Sequence, residues 1–241
     1  MAKEKITGTC KICGTEGELS KEHFPPQKAN NNETYIKRSF EEAIDGVKTK
    51  GHQLQGGIFD FTLCESCNNN TGTWYGAEYV KFCKSVSEVL NESVGESEID
   101  IVLEIFPLRI IKQIVSMFFS IQSNEFYLTH PELQQFVLDK DSKTLNKRYR
   151  FFMYLCKETP THQYRRNPLA GHFDFVSGET IQISEISHPP IGVVMTIDSM
   201  PKDARLLEIT DFSSFEYDEV FSFSRKIPLF MVNNLFSGIY D

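Results

Sequence analysis

Cys10-Lys11-Ile12-Cys13 is the first of two cysteine pairs in this chain, and Cys64-Glu65-Ser66-Cys67-Asn68 contains the second. Each pair has the form C-x-x-C, and two such pairs match the spacing of one tetrahedral zinc site with four thiolate ligands. The start of the chain lacks the apolar segment of a signal peptide, so we expect a reducing cytoplasm in which paired cysteines bind zinc. The sequence therefore predicts a structural zinc ion on Cys10, Cys13, Cys64 and Cys67.

Three further polar residues lie near these cysteines in the sequence. Glu22 and His23 follow the first pair, and Asn68 directly follows the last cysteine. A zinc ion that joins Cys13 to Cys67 must also bring these three residues near one another. A carboxylate, an imidazole and an amide oxygen are suitable groups for a hard divalent metal and a general base. We therefore expect a second, functional site beside the zinc.

The pattern C-K-I-C, S-K-E-H-F-P-P and L-C-E-S-C-N-N-N-T-G resembles the HNH (ββα-metal) endonucleases, in particular the zinc-stabilised branch typified by endonuclease VII. The resemblance covers about residues 8–90. It implies that Glu22 and Asn68 hold a catalytic divalent ion, Mg²⁺ or Mn²⁺, and that His23 is the general base. It also implies hydrolysis of phosphodiester bonds, in DNA more readily than in RNA. The segment from 24 to 63 is long for the loop of this family.

Two other functions fit the same residues. Four cysteines alone are typical of a non-catalytic zinc-binding module that recognises nucleic acid or a protein partner. A nuclease effector of phage defence, restrained through its C-terminal part, is the other alternative, and it would suit a homo-oligomer or a regulatory protein partner. Binding without metal-dependent nicking would distinguish the first alternative, whereas no specific residue points to the second.

The composition indicates a folded protein whose C-terminal part is acidic. Hydrophobic residues make up 40% of the 241 positions and include 20 phenylalanines, which suffices for a buried core. The formal net charge is −8: residues 1–90 hold 11 Lys and Arg against 12 Asp and Glu, and residues 91–241 hold 14 against 21. The acidity thus lies mainly outside the segment with the cysteine pairs. No apolar run reaches the roughly 18 residues of a membrane span, so we expect a cytoplasmic protein without membrane contact.

The predicted fold class is α+β, with two domains. Residues 1–95 are expected to form a zinc-bound ββα (HNH) module, and residues 96–241 a C-terminal domain of unknown role. The boundary falls in the acidic, polar segment 91–100. A helical segment then leads into a mostly antiparallel sheet, because the later apolar runs are short and separated by Gly, Pro, Asp and Ser. Cys83 and Cys156 are expected to be buried free thiols.

Hydrophobic spacing predicts the individual elements. Expected helices are 34–45, a helix from 67 to about 90, a buried helix within 101–124 with Pro107 at or just before its start, and 132–138 with Thr129 as its cap. Expected extended segments are 18–26, 58–63, 149–156, 172–176, 180–186, 192–197, 206–209, 219–223 and 226–232. Residues 47–57 are expected to form an exposed loop, and His188, before Pro189-Pro190, is expected to be a turn residue.

Overall fold

Helices and mixed strands follow one another along the chain in an α+β arrangement. The computed structural model describes residues 5–37, 52–93, 95–157, 165–173, 178, 180–201 and 203–231. The strands are β1 (Thr7–Thr9), β2 (Glu16–His23), β3 (Tyr35–Lys37), β4 (His52–Leu54), β5 (Phe59–Cys64), β6 (Glu98–Ile105), β7 (Tyr149–Lys157), β8 (Arg165–Phe173), β9 (Thr180–His188), β10 (Ile191–Ile197), β11 (Leu207–Glu208) and β12 (Phe221–Met231). The helices are α1 (Glu65–Thr71), α2 (Ala77–Glu92), α3 (Pro107–Ile121), α4 (Phe126–Thr129) and α5 (Pro131–Leu138); a π-helical turn (Gly72–Gly76) joins α1 to α2, and a 3₁₀ turn spans Thr210–Ser214.

Three sheets connect the described strands. The small sheet has the order β1-β2-β5, and the first cysteine pair lies in the turn that joins β1 to β2. A separate hairpin pairs β3 with β4. The large sheet has the order β6-β12-β7-β10-β9-β8, with β11 beside β7. Its pairings are antiparallel except for the short parallel contact between β12 and β7. The predicted α+β class with a mostly antiparallel sheet is therefore confirmed.

The antiparallel β2–β5 hairpin and the helix that follows it appear where the sequence predicts them. Strand β5 ends at Cys64, and the helix begins at the next residue. The apolar stripe expected on this helix is buried along its length. Its members are Tyr75, Tyr79, Phe82, Val86 and Leu90.

Several predicted elements were wrong. The expected helix 34–45 begins as strand β3, and its residues 38–45 lie outside the described part of the chain. The expected loop 47–57 contains strand β4. Thr129 does not cap α5, because its hydroxyl donates to the Phe126 carbonyl of the preceding helix instead.

The buried helix expected to start at Pro107 is confirmed, but the residues before it form a strand that was not predicted. Residues Glu98–Ile105 alternate between buried and exposed side chains, the period of two that defines a half-buried strand. Pro107 then occupies the first turn of α3, where its missing N–H costs nothing. Helix α3 is buried on nearly all sides, since Arg109 is its one residue outside the core.

The strands of the C-terminal sheet also differ from the prediction in their limits. Strand β8 begins at Arg165, earlier than expected, and a register shift between Asn167 and Ala170 accommodates Pro168. The two strands expected in 219–232 are one strand, β12.

One hydrophobic cluster runs from Cys10 to Ile227 and includes residues on both sides of the expected domain boundary. The division at residues 95 and 96 stays a prediction.

Two lysine side chains bind the C-terminal carbonyl groups of neighbouring helices. Lys11, between the first two cysteines, donates to the carbonyls of Ser120 (3.1 Å) and Gln122 (2.6 Å) at the end of α3. Lys112 is fully buried and donates to the carbonyls of Phe136 (2.7 Å) and Asp139 (2.5 Å) at the end of α5. A cation suits these positions because the last carbonyls of a helix have no partner within it and carry partial negative charge.

No helix in the described part of the chain is long and apolar enough to cross a membrane.

His188 is buried where β9 ends, although the sequence predicts a turn residue there. Its Nδ1 lies 2.8 Å from the Pro189 carbonyl oxygen, and its Nε2 lies 3.2 Å from the Tyr35 hydroxyl. A carbonyl oxygen only accepts, so Nδ1 carries the proton and Nε2 accepts from Tyr35. Burial lowers the pKa of His188 to about 4. This neutral imidazole joins the β3–β4 hairpin to the large sheet.

The stability of the protein should therefore fall in mild acid through His188. The folded-state pKa lies below the ordinary value of 6.5, so between pH 6.5 and about 4 the unfolded chain binds a proton that the folded chain does not. The free energy of unfolding should fall by about 2 kcal/mol more in the wild type than in His188→Gln between pH 6.5 and about pH 4.5. Urea unfolding at both pH values measures this difference, in which other titrating groups cancel. Equal pH slopes for the two proteins would contradict the assignment.

Candidate functional site

The four cysteines of the two pairs lie together at one end of the small sheet. Their Sγ atoms are all within 4.8 Å of one another, and the Sγ atoms of Cys13 and Cys64 are 3.8 Å apart. In a tetrahedral site with Zn–S bonds of about 2.3 Å, the sulfur atoms stand about 3.8 Å apart. Cys10, Cys13, Cys64 and Cys67 could therefore hold a metal ion such as zinc.

Local backbone structure positions the sulfur atoms. The first pair lies in a tight turn closed by hydrogen bonds from Gly14 N to Cys10 O (2.8 Å) and from Cys10 N to Thr15 O (2.9 Å). Gly14 has φ +76°, which favours glycine. In the second pair, Cys64 ends β5 and Cys67 lies in the first turn of α1. The first cysteine pair is thus held by a tight turn, and the second by the junction between β5 and α1.

Hydrogen bonds within the cluster favour a thiolate at Cys10. The Cys67 thiol and backbone N–H groups, among them those of Cys13 and Cys64, lower the pKa of Cys10 to about 4. The pKa of Cys67 is raised, chiefly by its hydrogen bond to Cys10 and by burial, with the charge of Cys10 adding to the effect. One thiolate is stable here without a cation, whereas four would repel one another.

Asn68 joins helix α1 to strand β2. Its Nδ2 donates to Ser20 Oγ (2.9 Å) and to the Lys21 carbonyl (3.0 Å), and Ser20 in turn donates to the Leu63 carbonyl of β5 (2.9 Å). These bonds fix the amide group beside the strand that carries Glu22 and His23. Because the amide nitrogen is used, the Oδ1 atom remains available as a ligand for a cation.

Glu22 is a buried carboxylic acid on β2, with 6% of its surface exposed. Burial raises its pKa to about 8. Within the described chain, no hydrogen bond or salt bridge reaches its carboxylate; Asp60, its cross-strand neighbour, accepts from the Phe61 backbone N–H through Oδ1. A buried carboxylate without a donor favours its charged form only when a cation comes close.

His23 is the last residue of β2 and is half-buried. Its ring centroid lies 5.6 Å from that of Phe59, and Nε2 lies 3.2 Å from the Gly56 carbonyl oxygen. Burial and then the charge of Lys21 lower the pKa of His23, while the contact with Gly56 opposes this. The carbonyl oxygen only accepts, so Nε2 carries the proton in this contact and the lone pair is on Nδ1.

The three predicted site residues lie in one region but do not bond to one another. In the described chain no hydrogen bond joins the His23 ring to Glu22 or Asn68. Successive side chains of a strand point to opposite faces, so Glu22 and His23 occupy different faces of the hairpin. The contact with Phe59 places His23 on the face away from Asn68.

Asn31 was not identified as a functional residue from the sequence. Its side chain joins the segment after His23 to the residue before β5. It is fully buried; Nδ2 donates to the carbonyls of Pro25 (2.6 Å) and Ile58 (2.9 Å), and Oδ1 accepts from Ile58 N (2.6 Å). Gly57 has φ +105°, and a Cβ there would overlap the Asn31 backbone. The Gln27 amide also donates to the Gly56 carbonyl that contacts His23, at 2.9 Å. The paired glycines Gly56-Gly57 were the available signal for this close approach.

Comparisons of the chain with protein-family models, with curated proteins and with solved structures find no match. What the site can do therefore has to follow from its own residues and geometry.

Purified protein should contain one zinc ion per chain, bound by the four-cysteine cluster. Zinc contributes on the order of 10 kcal/mol to small thiolate sites, so Cys13→Ala should lose most of the metal and unfold at a lower temperature. Cys83→Ala, which changes a buried cysteine outside the cluster, should keep the full metal content. Elemental analysis and melting curves test both variants. Metal-free wild type whose melting curve is unchanged by a chelator would contradict the assignment.

Asn31→Asp should destabilise the protein strongly although the shape of the side chain is kept. The change puts a second oxygen against two buried carbonyls and removes two hydrogen bonds, for a cost of about 3 kcal/mol. Asn32→Asp is the matched control, because Asn32 is exposed and should change the free energy of unfolding by less than about 0.5 kcal/mol. Denaturant unfolding of both variants is the measurement. Equal midpoints would show that the Asn31 amide does not hold these segments.

Proposed function

We propose that this chain is a metal-dependent endonuclease of the HNH type that hydrolyses phosphodiester bonds of nucleic acid, DNA more readily than RNA. The observation that carries the proposal is the attachment of Asn68 to β2. The amide is bound to β2, the strand that carries Glu22 and His23, and directly follows the last cysteine of the four-cysteine cluster. A carboxylate and an imidazole from the end of β2, with an amide oxygen from the first turns of α1, are suitable groups for metal-assisted hydrolysis.

Glu22 and Asn68 are the residues that would hold the catalytic ion. Both offer oxygen, which suits Mg²⁺ or Mn²⁺, whereas the sulfur atoms of the cysteine cluster suit zinc. The buried carboxylate of Glu22, which has no hydrogen-bond donor among the described residues, and an Asn68 amide bound only through its nitrogen there are compatible with a cation. When bound, such an ion stabilises negative charge on the phosphate and on the leaving 3′ oxygen.

His23 is the general base in this proposal. Its lowered pKa keeps the imidazole neutral near pH 7, so a lone pair is available to take a proton from the attacking water. The Gly56 carbonyl fixes the proton on Nε2 and leaves Nδ1 as the basic atom. Gln27 and Asn31 hold the backbone on which this orientation depends.

A second candidate is a non-catalytic zinc-binding module that recognises nucleic acid or a protein partner. The docking of the first cysteine pair against the helices favours it, because the cluster then has a purely structural use. Lys11 binds the end of α3, and the Gln134 amide of α5 donates to the Ile12 carbonyl at 2.6 Å. This candidate predicts binding of a partner with no metal-dependent nicking.

The rate of plasmid nicking as a function of Mn²⁺ concentration tests the proposed roles with two variants that control each other. His23→Ala should lower the maximal rate at least about a hundredfold, the scale of losing a general base, and leave the Mn²⁺ midpoint unchanged. Glu22→Gln should shift the midpoint to higher Mn²⁺, because it removes the negative charge from the ion's ligands.

Both variants should retain their zinc, which elemental analysis checks. Wild-type rates in His23→Ala would exclude His23 as the base, and an unchanged Mn²⁺ curve in Glu22→Gln would exclude Glu22 as a ligand. Absence of nicking by the wild type on DNA and on RNA would favour the non-catalytic module.

A further inference from the structure

One face of the β2–β5 hairpin carries a cation and two aromatic rings beside His23. The strand register pairs Lys21 with Phe61 and His23 with Phe59. Lys21 Nζ lies 3.7 Å from the centroid of the Phe59 ring, and the rings of Phe59 and Phe61 meet edge to face at 6.3 Å. We name this surface the Lys21–Phe59–Phe61 strip. It adjoins the imidazole, because the Phe59 ring touches both Lys21 and His23.

The strip is accessible, and the described residues do not neutralise its charge. Lys21 is exposed, and Phe59 and Phe61 are half-buried. No carboxylate lies within salt-bridge distance of Lys21 among the described residues, and its ammonium has no hydrogen-bond acceptor there. A cation over an aromatic ring at an exposed site contributes only about 0.5–1 kcal/mol to stability. The weak contact with the Phe59 ring would therefore oppose only slightly a movement of the ammonium toward an anion on the hairpin face.

We propose that the Lys21–Phe59–Phe61 strip binds an unpaired nucleotide of the nucleic-acid strand that is cut, with Lys21 on a phosphate and the phenyl rings against the sugar and base. The inference rests on the proposed nuclease function and adds the class of its substrate. The phosphate held by Lys21 lies next to the imidazole, because Lys21 and His23 are neighbours on the same face of β2.

The aromatic rings favour an unpaired strand over a continuous duplex. In a duplex the faces of each base are covered by the neighbouring bases, and a protein meets mainly phosphates and base edges. A ring on a strand surface can stack only on a base that has left the duplex, and such stacking contributes about 1–3 kcal/mol per base. A cation with two rings thus suits single-stranded, flapped or frayed nucleic acid.

Binding of the full-length zinc-loaded chain to fluorescein-labelled oligothymidylate of about 20 nucleotides tests the proposal without requiring cleavage. Fluorescence anisotropy without added Mg²⁺ or Mn²⁺, at several NaCl concentrations, gives the Kd and its salt dependence. The wild type should bind the single strand more tightly than a duplex of equal length. Phe59→Leu should raise the Kd for the single strand at least about fivefold, the equivalent of one lost stacking contact. Phe59→Tyr, which keeps the aromatic ring, should have the Kd of the wild type.

Lys21→Met should raise the Kd and reduce the slope of log K against log salt by about 0.7, the value for one phosphate contact on a single strand. Lys147→Met removes an exposed lysine before β7 and should leave both quantities unchanged. Melting curves show whether each variant is folded, and the tyrosine variant keeps the test valid if Phe59→Leu is unstable. Wild-type affinity in Lys21→Met and Phe59→Leu, or tighter binding of the duplex, would overturn the proposal.

A nicking assay on the same proteins separates this proposal from the proposed function. Nicking by the wild type together with unchanged binding by the strip variants would remove the strip and keep the nuclease. Weaker binding by the strip variants without any nicking by the wild type would keep the strip as a binding site and remove the catalytic role of His23.

Discussion

The convergence of four cysteine sulfur atoms is the constraint on which the N-terminal half depends. Cys13 and Cys64 are 51 residues apart in sequence, yet their sulfur atoms lie 3.8 Å apart. The protein's own donors favour a thiolate at Cys10, whereas hydrogen bonding to Cys10 raises the pKa of Cys67 and burial raises that of Cys64. Four thiolates at these distances would repel one another without a cation between them, and a metal ion such as zinc could supply that cation.

The cysteine cluster also determines how the small sheet meets the helices. Lys11 lies between two of the cysteines, so fixing those cysteines points its ammonium at the last carbonyls of α3. The adjacent Gly14 lies against the Tyr127 ring, where any Cβ would overlap the aromatic carbons. A change in the cluster is therefore transmitted to α3 and α4 through direct contacts. The same dependence explains why one hydrophobic cluster includes residues of both the N-terminal and the C-terminal part of the chain.

The features that could be predicted from the sequence are those that depend on residues close together in the chain. The C-x-x-C spacing, the alternation before Cys64 and the apolar stripe from Tyr75 to Leu90 each specify a structure within a few residues, and each is present. The strand at 98–105 was not predicted, because its first residues were read as a polar junction and its last ones as part of the apolar segment that leads into α3. The Asn31 hydrogen bonds, the burial of His188 against Tyr35 and the position of Gly56 at His23 all join residues distant in sequence. No spacing rule encodes such contacts, so they could not be predicted from one sequence.

The alternation of β2 places a geometric demand on any reaction at this site. Glu22 and His23 are neighbours in sequence but belong to opposite faces of the hairpin, so one phosphate can approach both only at the end of β2, where the strand stops at His23. The segment that folds around this end is held by Asn31 between Pro25 and Ile58, and it presents the Gly56 carbonyl to the imidazole. The chain between Phe24 and Leu63 thus includes the residues that close the end of the hairpin. In the proposed reaction, access of a phosphate to both faces would therefore depend on how Asn31 and the Gly56 carbonyl hold this end of the hairpin, as well as on Glu22 and Asn68.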